Sequence, residues 1–193
     1  MAQKGENTKQ KIIQESMKLF SVSGFEAVSI RSIAKAVGVG NSALYKHFKS
    51  KKEILNEIVA YSIDYYRVMG NKQMIQISNL KEFQKACLAM FDFQTQDAWI
   101  VMFRRLLMIE QFKDSEMASI YRRFFIEIPV KMQAEFFKQL MKQGIMKNGN
   151  EEVLAMELYA PFYMHHLAAD AQENLEELFK THIRNFWNEN FAK

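Results

Sequence analysis

The sequence predicts an all-α protein with a small N-terminal helix-turn-helix domain and a larger C-terminal helical domain. Three observations support this fold class. Glycine and proline are scarce, at seven and two residues, which disfavours the many tight turns of barrels and sandwiches. Apolar side chains recur every three or four residues, as in amphipathic helices. Near the N-terminus, glycines separate short helical segments, and about nine or ten helices are expected in all.

Composition excludes several classes of protein. Apolar residues at 49% and charged residues at 25% are ordinary values for a folded domain. Cys87 is the single cysteine, which excludes an intrachain disulfide or a cysteine-based zinc site. The longest apolar runs have six residues, whereas ~20 are needed to span a bilayer. Residues 1–7 contain no hydrophobic segment, so we expect no secretory signal and a cytoplasmic protein.

Positive charge is concentrated at the N-terminus. Residues 1–55 contain ten Lys or Arg and four Asp or Glu, a net charge of +6, whereas the remainder carries −2. We call residues 1–55 the head. Its positive charge, next to a faintly acidic remainder of the chain, indicates that the head binds a polyanion. Charge alone leaves both nucleic acid and an anionic membrane open.

Caps and glycines predict three helices in this head. The first covers residues 8–23 and ends at Gly24. Ser29 is placed to cap a short second helix over residues 30–37, and a Gly-Val-Gly turn leads into a third over residues 41–48. Two short helices joined by a glycine-containing turn form a helix-turn-helix motif, whose second helix enters the DNA major groove.

The third helix and the residues after it carry side chains suited to DNA. Those at its N-terminal end are small enough to approach base edges, and those that follow donate hydrogen bonds to phosphates. A basic group then marks the start of a fourth helix, where the helix dipole also favours a phosphate. The three sets are Asn41, Ser42 and Ala43, then Tyr45, Lys46 and His47, and finally Lys49, Lys51 and Lys52.

The stretch from Thr8 to Leu55 resembles the DNA-binding domain of the TetR (tetracycline-repressor) family of bacterial transcription regulators. The resemblance is carried by residues 16–20, Gly24-Phe25, residues 29–39 and residues 44–55. It implies a DNA-binding domain over residues 1–52 and a ligand-binding and dimerisation domain over residues 53–193.

The resemblance also implies roles for individual residues. Leu44 and Phe48 are expected in the core. Three of the residues implied to contact DNA have alternative roles. Tyr45 could instead pack in the core, His47 could be a structural histidine, and Arg31 could be a solvated charge on its helix. The implied phosphate contacts are Ser29, Arg31, Tyr45, His47 and Lys51, and the positions nearest the bases are Gly40, Asn41, Ser42, Ala43 and Lys46.

Two positions depart from the family pattern. The family commonly has Ser or Thr where Gly40 stands, which leaves open which residue caps the recognition helix. The family often has Thr at the position of Val28, so Ser29 is expected to provide both the cap and the phosphate contact of the second helix.

The remaining chain is predicted to form longer helices. Pro129 lies inside one long amphipathic segment and is expected to kink or split it. Pro161 is expected to disturb the helix that Asn150 caps, and Asn174 with Glu177 resembles a capping box for the last helix. The predicted spans are residues 51–69, 80–93, 97–112, 114–146 and 150–169, followed by the final helix.

The last two helices have wide apolar faces that need a cover. The resemblance implies that they pair across a two-fold axis in a homodimer, which suits a palindromic operator with half-sites ~34 Å apart. Closure of the monomer core is the alternative. The predicted face of the last helix consists of Leu175, Leu178, Phe179, His182, Ile183, Phe186 and Trp187.

The segment from Ala98 to Ile109 points to an effector site. It is apolar except for Arg104 and Arg105, and a buried guanidinium requires a carboxylate, backbone carbonyls or an anionic ligand. Internal candidates are Glu110, Glu127, Glu157 and Asp170. The residues predicted to line the pocket, together with the two arginines, are Trp99, Phe103, Tyr121, Phe125, Tyr159, Tyr163 and His166.

Enzymatic functions receive no support from the sequence. Phosphate-loop, dinucleotide, metalloprotease and serine-hydrolase motifs are absent. His165 and His166 are adjacent on a helix and point about 100° apart, so we expect no metal, and no cofactor is implied. The expected function is a repressor released from its operator by a small, largely apolar effector. An activator of the same fold, a ligand-insensitive architectural DNA binder, and an enzyme or carrier with a vestigial head are the alternatives.

Overall fold

The computed structural model describes residues 2–71, 77–167 and 175–192, and the described residues are almost entirely helical. The chain divides into two compact units. Unit 1 comprises residues 1–69 and 98–121, and unit 2 comprises residues 70–97 and 122–193. The all-α prediction is therefore confirmed. The expected functional boundary after residue 52 stays a prediction, because these units reflect packing and not function.

Unit 1 contains the three helices of the predicted head and three further helices. Helix α1 begins earlier than the sequence predicted, and α4 ends later. The apolar stripe of α1 is fully buried, with Ile12, Met17 and Phe20 at 0% exposure, and α6 packs along it. The helices of this unit are α1 (Ala2–Ser23), α2 (Ile30–Val37), α3 (Asn41–Tyr45), α4 (Lys51–Asn71), α6 (Ala98–Glu110) and α7 (Ser115–Arg122).

Unit 2 is built around a cluster of aromatic rings. Phe179 stacks on Phe91 with ring centroids 4.7 Å apart, and Phe186 stacks on Phe137 at 5.4 Å. Aromatic side chains bury large apolar areas, so a few of them fill this core. The helices of this unit are α5 (Leu80–Gln96), a π-helical segment (Arg123–Glu127), α8 (Ile128–Lys142), α9 (Glu151–Leu167) and α10 (Leu175–Asn190).

Pro129 splits the predicted long segment, as expected. A π-helical segment precedes it, and Pro129 lies in the first turn of α8, where a missing N–H group is tolerated. Proline cannot donate to the carbonyl of Phe125, four residues earlier. The hydroxyl oxygen of Tyr159 lies 3.2 Å from that carbonyl oxygen, so α9 lies beside the break.

A capping residue accounts for the start of α9. Asn150 accepts hydrogen bonds from the backbone N–H groups of Glu152 and Val153 at 3.1 and 3.0 Å, which confirms its predicted cap of α9. Helix α9 continues through Pro161 to Leu167. The predicted capping residue Asn174 lies outside the described residues.

Candidate nucleic-acid interface

Ser29 fixes the start of α2. Its side chain accepts a hydrogen bond from the backbone N–H of Ser32 at 3.0 Å, and the hydroxyl of Ser32 accepts one from the backbone N–H of Ser29 at 3.0 Å. This reciprocal capping box satisfies donors that a helix start leaves unpaired. The predicted cap is confirmed, and the exposed position of Ser29 suits a phosphate contact.

The turn between α2 and α3 depends on glycine. Gly38 has φ +80° and ends α2 by donating its backbone N–H to the carbonyl of Ala34 at 3.0 Å. This left-handed conformation favours glycine because a Cβ atom would be strained there. Gly40 occupies the N-cap position of α3, which answers the question left open by the sequence. Having no side chain, Gly40 supplies only its carbonyl, which accepts from the N–H groups of Ala43 and Leu44.

Helix α3 is anchored on one side and open on the other. Leu44 and Phe48 are 0% and 2% exposed, which confirms their predicted core positions. Tyr45 is 52% exposed, so its ring does not lie in the core, and Lys46 is exposed beside it. His47 is half-buried, which leaves both of its alternatives open.

The residues expected nearest the bases lie on the open side. Gly40, Asn41 and Ser42 are exposed, and Ala43 is half-buried. Arg31 is also exposed, on α2. The structure therefore presents a short recognition helix whose small polar residues and cationic side chain are accessible to DNA, as direct readout in the major groove requires.

The ammonium group of Lys51 is bonded to backbone carbonyls within the head. Its ammonium group donates to the backbone carbonyls of Phe25, Glu26 and Val28 at 2.6, 3.3 and 2.9 Å. It also lies 4.2 Å from the centroid of the Phe25 ring, a cation–π distance. An ammonium group has three donors, and each has an acceptor within the head. These bonds give Lys51 a structural role within the head, and its phosphate contact stays a prediction.

The neighbouring basic residue Lys52 forms ion pairs. Its ammonium group lies 3.4 Å from a carboxylate oxygen of Asp114 and 3.8 Å from one of Glu116. Both pairs are largely exposed, so they contribute little to stability. Of the predicted basic group, Lys49 stays exposed, and only its backbone N–H is engaged, by Glu53 at 2.6 Å.

The residues predicted to line an effector pocket fall into both units. In unit 1, Trp99 donates to the hydroxyl of Ser62 at 2.9 Å and packs edge-on against Tyr61 at 4.9 Å. Phe103 is fully buried. Burial raises the pKa of Tyr121, and the nearby Arg104 charge opposes that rise, so these two predicted residues lie close together.

The two arginines of α6 differ. Arg104 is 4% exposed, as predicted, whereas Arg105 is exposed. Neighbouring helical positions point about 100° apart, so the side chain of Arg105 points outward when that of Arg104 is buried. The pocket role of Arg105 stays a prediction, which its exposure does not favour.

The four carboxylates considered as partners of Arg104 differ in burial and in their hydrogen-bond or ion-pair partners. Glu110 is 4% exposed and accepts a hydrogen bond from the backbone N–H of Phe25 at 2.9 Å. Glu127 pairs with Arg122 at 2.9 Å, and Glu157 is exposed. Asp170 lies outside the described residues.

The other predicted pocket residues surround a polar group in unit 2. Tyr159 donates to the side-chain oxygen of Gln94 at 2.7 Å. Its ring packs edge-on against Tyr163 at 5.3 Å, and Phe125 packs edge-on against His166 at 6.1 Å. Aromatic walls with one hydrogen-bonding group are typical of sites for small apolar ligands.

Gln94, which is fully buried, is not among the pocket residues predicted from the sequence. It lies three residues after Phe91 and therefore on the same helical face. A polar residue inside an otherwise apolar stripe of α5 was the signal that could have identified it.

Other kinds of site receive no support from the described part of the chain. There, no helix is long and apolar enough to cross a membrane. Within the same residues, no group of three or more potential metal ligands comes together. The capped helix-turn-helix with its accessible recognition helix is the site that the structure does present, and it defines a DNA-binding protein of the helix-turn-helix class.

Comparisons with known proteins agree with this class. Residues 12–58 match the family described as bacterial regulatory proteins, tetR family. The chain is 29% identical over 148 residues to IcaR, the negative transcriptional regulator of the biofilm operon icaADBC in Staphylococcus aureus, covering 69% of this chain and 77% of IcaR.

Solved structures share the fold over nearly the whole chain. A TetR-family transcriptional regulator from Mesorhizobium loti superposes with a TM-score of 0.72 at 16% identity, covering 97% of this chain and 98% of that one. AibR, solved with isovaleryl coenzyme A and operator DNA, superposes with a TM-score of 0.66 at 15% identity, covering 91% and 96%. At these identities the likeness shows the fold alone.

Over residues 12–58 the chain matches the TetR family, and most of its length is similar to transcriptional regulators of that family. The resemblance described from the sequence is thereby confirmed. The family and the relatives found consist of regulators and not enzymes, so the enzymatic alternative is set aside.

Proposed function

We propose that this regulator is a repressor that binds a palindromic operator as a homodimer and is released by a small, largely apolar effector. Repression is supported by the relative IcaR, which is a negative regulator. Release by an effector is supported by AibR, whose structure contains both isovaleryl coenzyme A and operator DNA.

The observation that carries the proposal is the accessible face of α3. Leu44 and Phe48 hold the helix on the core, while Asn41, Ser42 and Lys46 extend from its other side. Side-chain amides read adenine, and lysine reads guanine or phosphate. Two such helices related by a two-fold axis read half-sites ~34 Å apart, which requires a dimer.

An exposed apolar stripe on α9 supports dimerisation. Val153, Met156, Met164 and Leu167 are 59%, 61%, 66% and 75% exposed. Their spacing of three, eight and three residues places them on one face of the helix. The opposite face is buried in unit 2 through residues such as Leu158 and Phe162. A helix that is apolar on both sides needs a second partner.

The predicted face of α10 contributes less to such a seam. Leu175, Phe179, Ile183 and Phe186 are buried within unit 2, so they close the core of that unit. Leu178 is the member of the predicted face that is exposed, at 63%. We therefore centre the dimer seam on α9, with Leu178 beside it.

The buried polar groups support an apolar effector with one hydrogen-bonding or anionic group. In unit 2, Gln94 and Tyr159 form a polar pair among aromatic rings. In unit 1, the guanidinium of Arg104 is buried, and a buried positive charge suits an anionic effector group. An effector that couples to DNA binding by about 1–3 kcal/mol changes operator affinity about 5- to 150-fold.

Selection of binding sites from a random DNA pool at about 0.15 M salt tests DNA reading. The expected result is an enriched inverted repeat bound by an even number of chains. Asn41→Ala should then weaken operator binding by ~1–3 kcal/mol and relax specificity at one position per half-site. Salt-sensitive binding without enrichment would favour the architectural alternative, and equal losses on operator and random DNA would refute the role of Asn41.

The oligomeric state in solution tests the seam. Met164→Glu should convert dimers to monomers, because it places a charge in an apolar contact. Met132→Glu on α8, where the methionine is 50% exposed, is the matched control and should leave the dimer intact. Light scattering after size-exclusion chromatography separates the two results. A wild-type monomer at all concentrations would contradict the proposal.

A further inference from the structure

The loop that joins α1 to α2, residues 24–29, is held from two sides by charged groups. The backbone N–H of Phe25 points to a carboxylate on α6, and the carbonyls of Phe25, Glu26 and Val28 point to an ammonium group on α4. The two charged residues are Glu110, the last residue of α6, and Lys51, the first residue of α4.

The carboxylate of Glu110 has an unusual position. It is 4% exposed and lies at the C-terminal end of a helix, where the dipole disfavours negative charge. Burial of a carboxylate is also unfavourable unless hydrogen bonds compensate for it. Its described partners are the N–H of Phe25 at 2.9 Å and the ammonium of Lys113 at 3.7 Å. Burial of this carboxylate is therefore compensated by its hydrogen bond to the loop and by the charge of Lys113.

Gly24 leaves room for this bond. A Cβ atom at position 24 would lie 2.8 Å from Oε1 of Glu110 and 3.0 Å from a methyl carbon of Ile109. Gly24 also has φ +77°, a conformation that other residues adopt at a cost. Any side chain at this position would therefore push the carboxylate away from the loop.

Lys51 holds the opposite edge of the same peptide segment. Its three donors are matched to three loop carbonyls, and the charge lies over the ring of Phe25. Charge-assisted hydrogen bonds are roughly twice as strong as neutral ones. The loop is thus bonded at its donor side by α6 and at its acceptor side by α4.

The loop leads directly into the DNA-reading element. It ends at Ser29, the cap of α2, and α2 packs on α3. A displacement of the loop is therefore carried to the recognition helix through two short, tightly joined helices.

We propose that Glu110 and Lys51 form a two-sided clamp on the α1–α2 loop, and that Glu110 is a positioning residue for operator binding. The clamp sets the pose of the helix-turn-helix relative to α4 and α6. A change in the relative position of these two helices then alters operator affinity even though neither side chain touches DNA. This inference rests on the proposed function, because it requires a specific operator.

The test compares Glu110→Ala, Glu110→Gln and Gly24→Ala with wild type on the selected operator and on random DNA. Glu110→Ala removes the acceptor and should weaken operator binding at least about 5-fold, the lower end of ordinary coupling between sites. Glu110→Gln keeps a side-chain oxygen for the Phe25 N–H and should recover most of that loss. Gly24→Ala should resemble Glu110→Ala, although it leaves the carboxylate in place.

A second measurement separates positioning from a general loss of stability. Operators with one base pair added or removed between half-sites report the pose of the two heads. Glu110→Ala should change the preferred spacing or flatten the preference, whereas a merely destabilised protein would keep the wild-type preference. Asp64→Asn, which removes an exposed carboxylate paired with Arg67 at 3.3 Å on α4, is the control and should match wild type.

Each outcome decides the matter. Folded Glu110→Ala and Gly24→Ala proteins with wild-type operator affinity and spacing preference would overturn the clamp. If Glu110→Ala fails to fold, Gly24→Ala and Glu110→Gln decide by the same two measurements. A wild-type protein that selects no operator would overturn the proposed function itself, and the clamp with it.

Discussion

The head of unit 1 and the core of unit 2 hold their helices in different ways. In the head, short helices are fixed by polar backbone chemistry, namely the Ser29 cap, the left-handed Gly38 and the Lys51 bonds to loop carbonyls. In unit 2, longer helices are held by packing of aromatic rings such as Phe91 on Phe179.

This difference has consequences for function and for variation. Backbone chemistry requires particular residues at particular positions, so a DNA-reading geometry leaves a recognisable pattern in the sequence. Aromatic packing accepts many combinations of similar volume. A core of the second kind can therefore be remodelled around different effectors without loss of the fold.

The largest effect is expected for Phe179→Ala in unit 2. This side chain is 1% exposed, and its removal leaves a cavity that lowers the free energy of unfolding by ~3–5 kcal/mol. Chemical denaturation measures the loss. Thr181→Ala, at an exposed position of the same helix, should change stability by less than about 0.5 kcal/mol. A loss of less than about 1.5 kcal/mol for Phe179→Ala, below the range for such cavities, would mean that ring packing does not dominate unit 2.

The next effect contrasts two lysines of the head. Lys51→Met keeps the stem but removes the bonds to loop carbonyls, and should lower stability by about 2–3 kcal/mol. If those bonds hold Lys51 away from phosphates, the salt dependence of binding to random DNA should stay as in wild type. Lys46→Met should show the reverse, with unchanged stability and a salt slope lower by about one. Equal slopes for Lys46→Met and wild type would remove Lys46 from the interface.

A smaller effect is expected at the cap of α2. Ser29→Ala removes the acceptor for the Ser32 N–H and should cost ~1 kcal/mol of stability. Ser29→Thr should restore most of it, since threonine also caps helices. Thermal unfolding followed by circular dichroism compares the three proteins. Identical midpoints would show that the head does not depend on this cap.

The smallest effect lies at the start of α5 in unit 2. Hydrogen bonds from the hydroxyl and backbone N–H of Ser78 lower the pKa of Glu82. Because this pKa is lower in the folded state, the unfolded state binds the proton first as the pH falls. The contribution of Glu82 is therefore present above the ordinary carboxyl pKa and is lost below the folded-state value.

The unfolding midpoints of wild type and Glu82→Gln test this pH dependence. They should differ at neutral pH and converge in acid. A difference that persists in acid would assign the effect to packing and not to charge.

Features of the fold that depend on local backbone chemistry were predictable from the sequence, and those that depend on packing between distant residues were not. Ser29, Gly24 and Asn150 were identified as caps or stops from residue type and spacing alone, because their roles are local. The split at Pro129 was also predictable, since proline acts on its own helix. The π-helical form of the residues before it was not, because it depends on contacts made by distant residues.

The candidate site was predictable where side chains point outward and less so where they meet other helices. Asn41, Ser42 and Lys46 are accessible, as predicted. Lys51 looked like one more cation in a basic run, and only the folded loop shows that three carbonyls surround it. Arg104 and Arg105 look equivalent in sequence, and the rotation of α6 alone separates the buried one from the exposed one.

The absence of a side chain at Gly40 lowers the stability of the recognition helix α3. With no side-chain acceptor at the N-cap, α3 begins without a bond that Ser or Asn at that position would supply, a difference of about a few tenths of a kcal/mol. Glycine also has more freedom to lose when it is ordered. We therefore expect part of the ordering of α3 to be coupled to operator binding. A single residue thus adjusts how preorganised the reader is, and with it how tightly and how selectively the regulator holds its site.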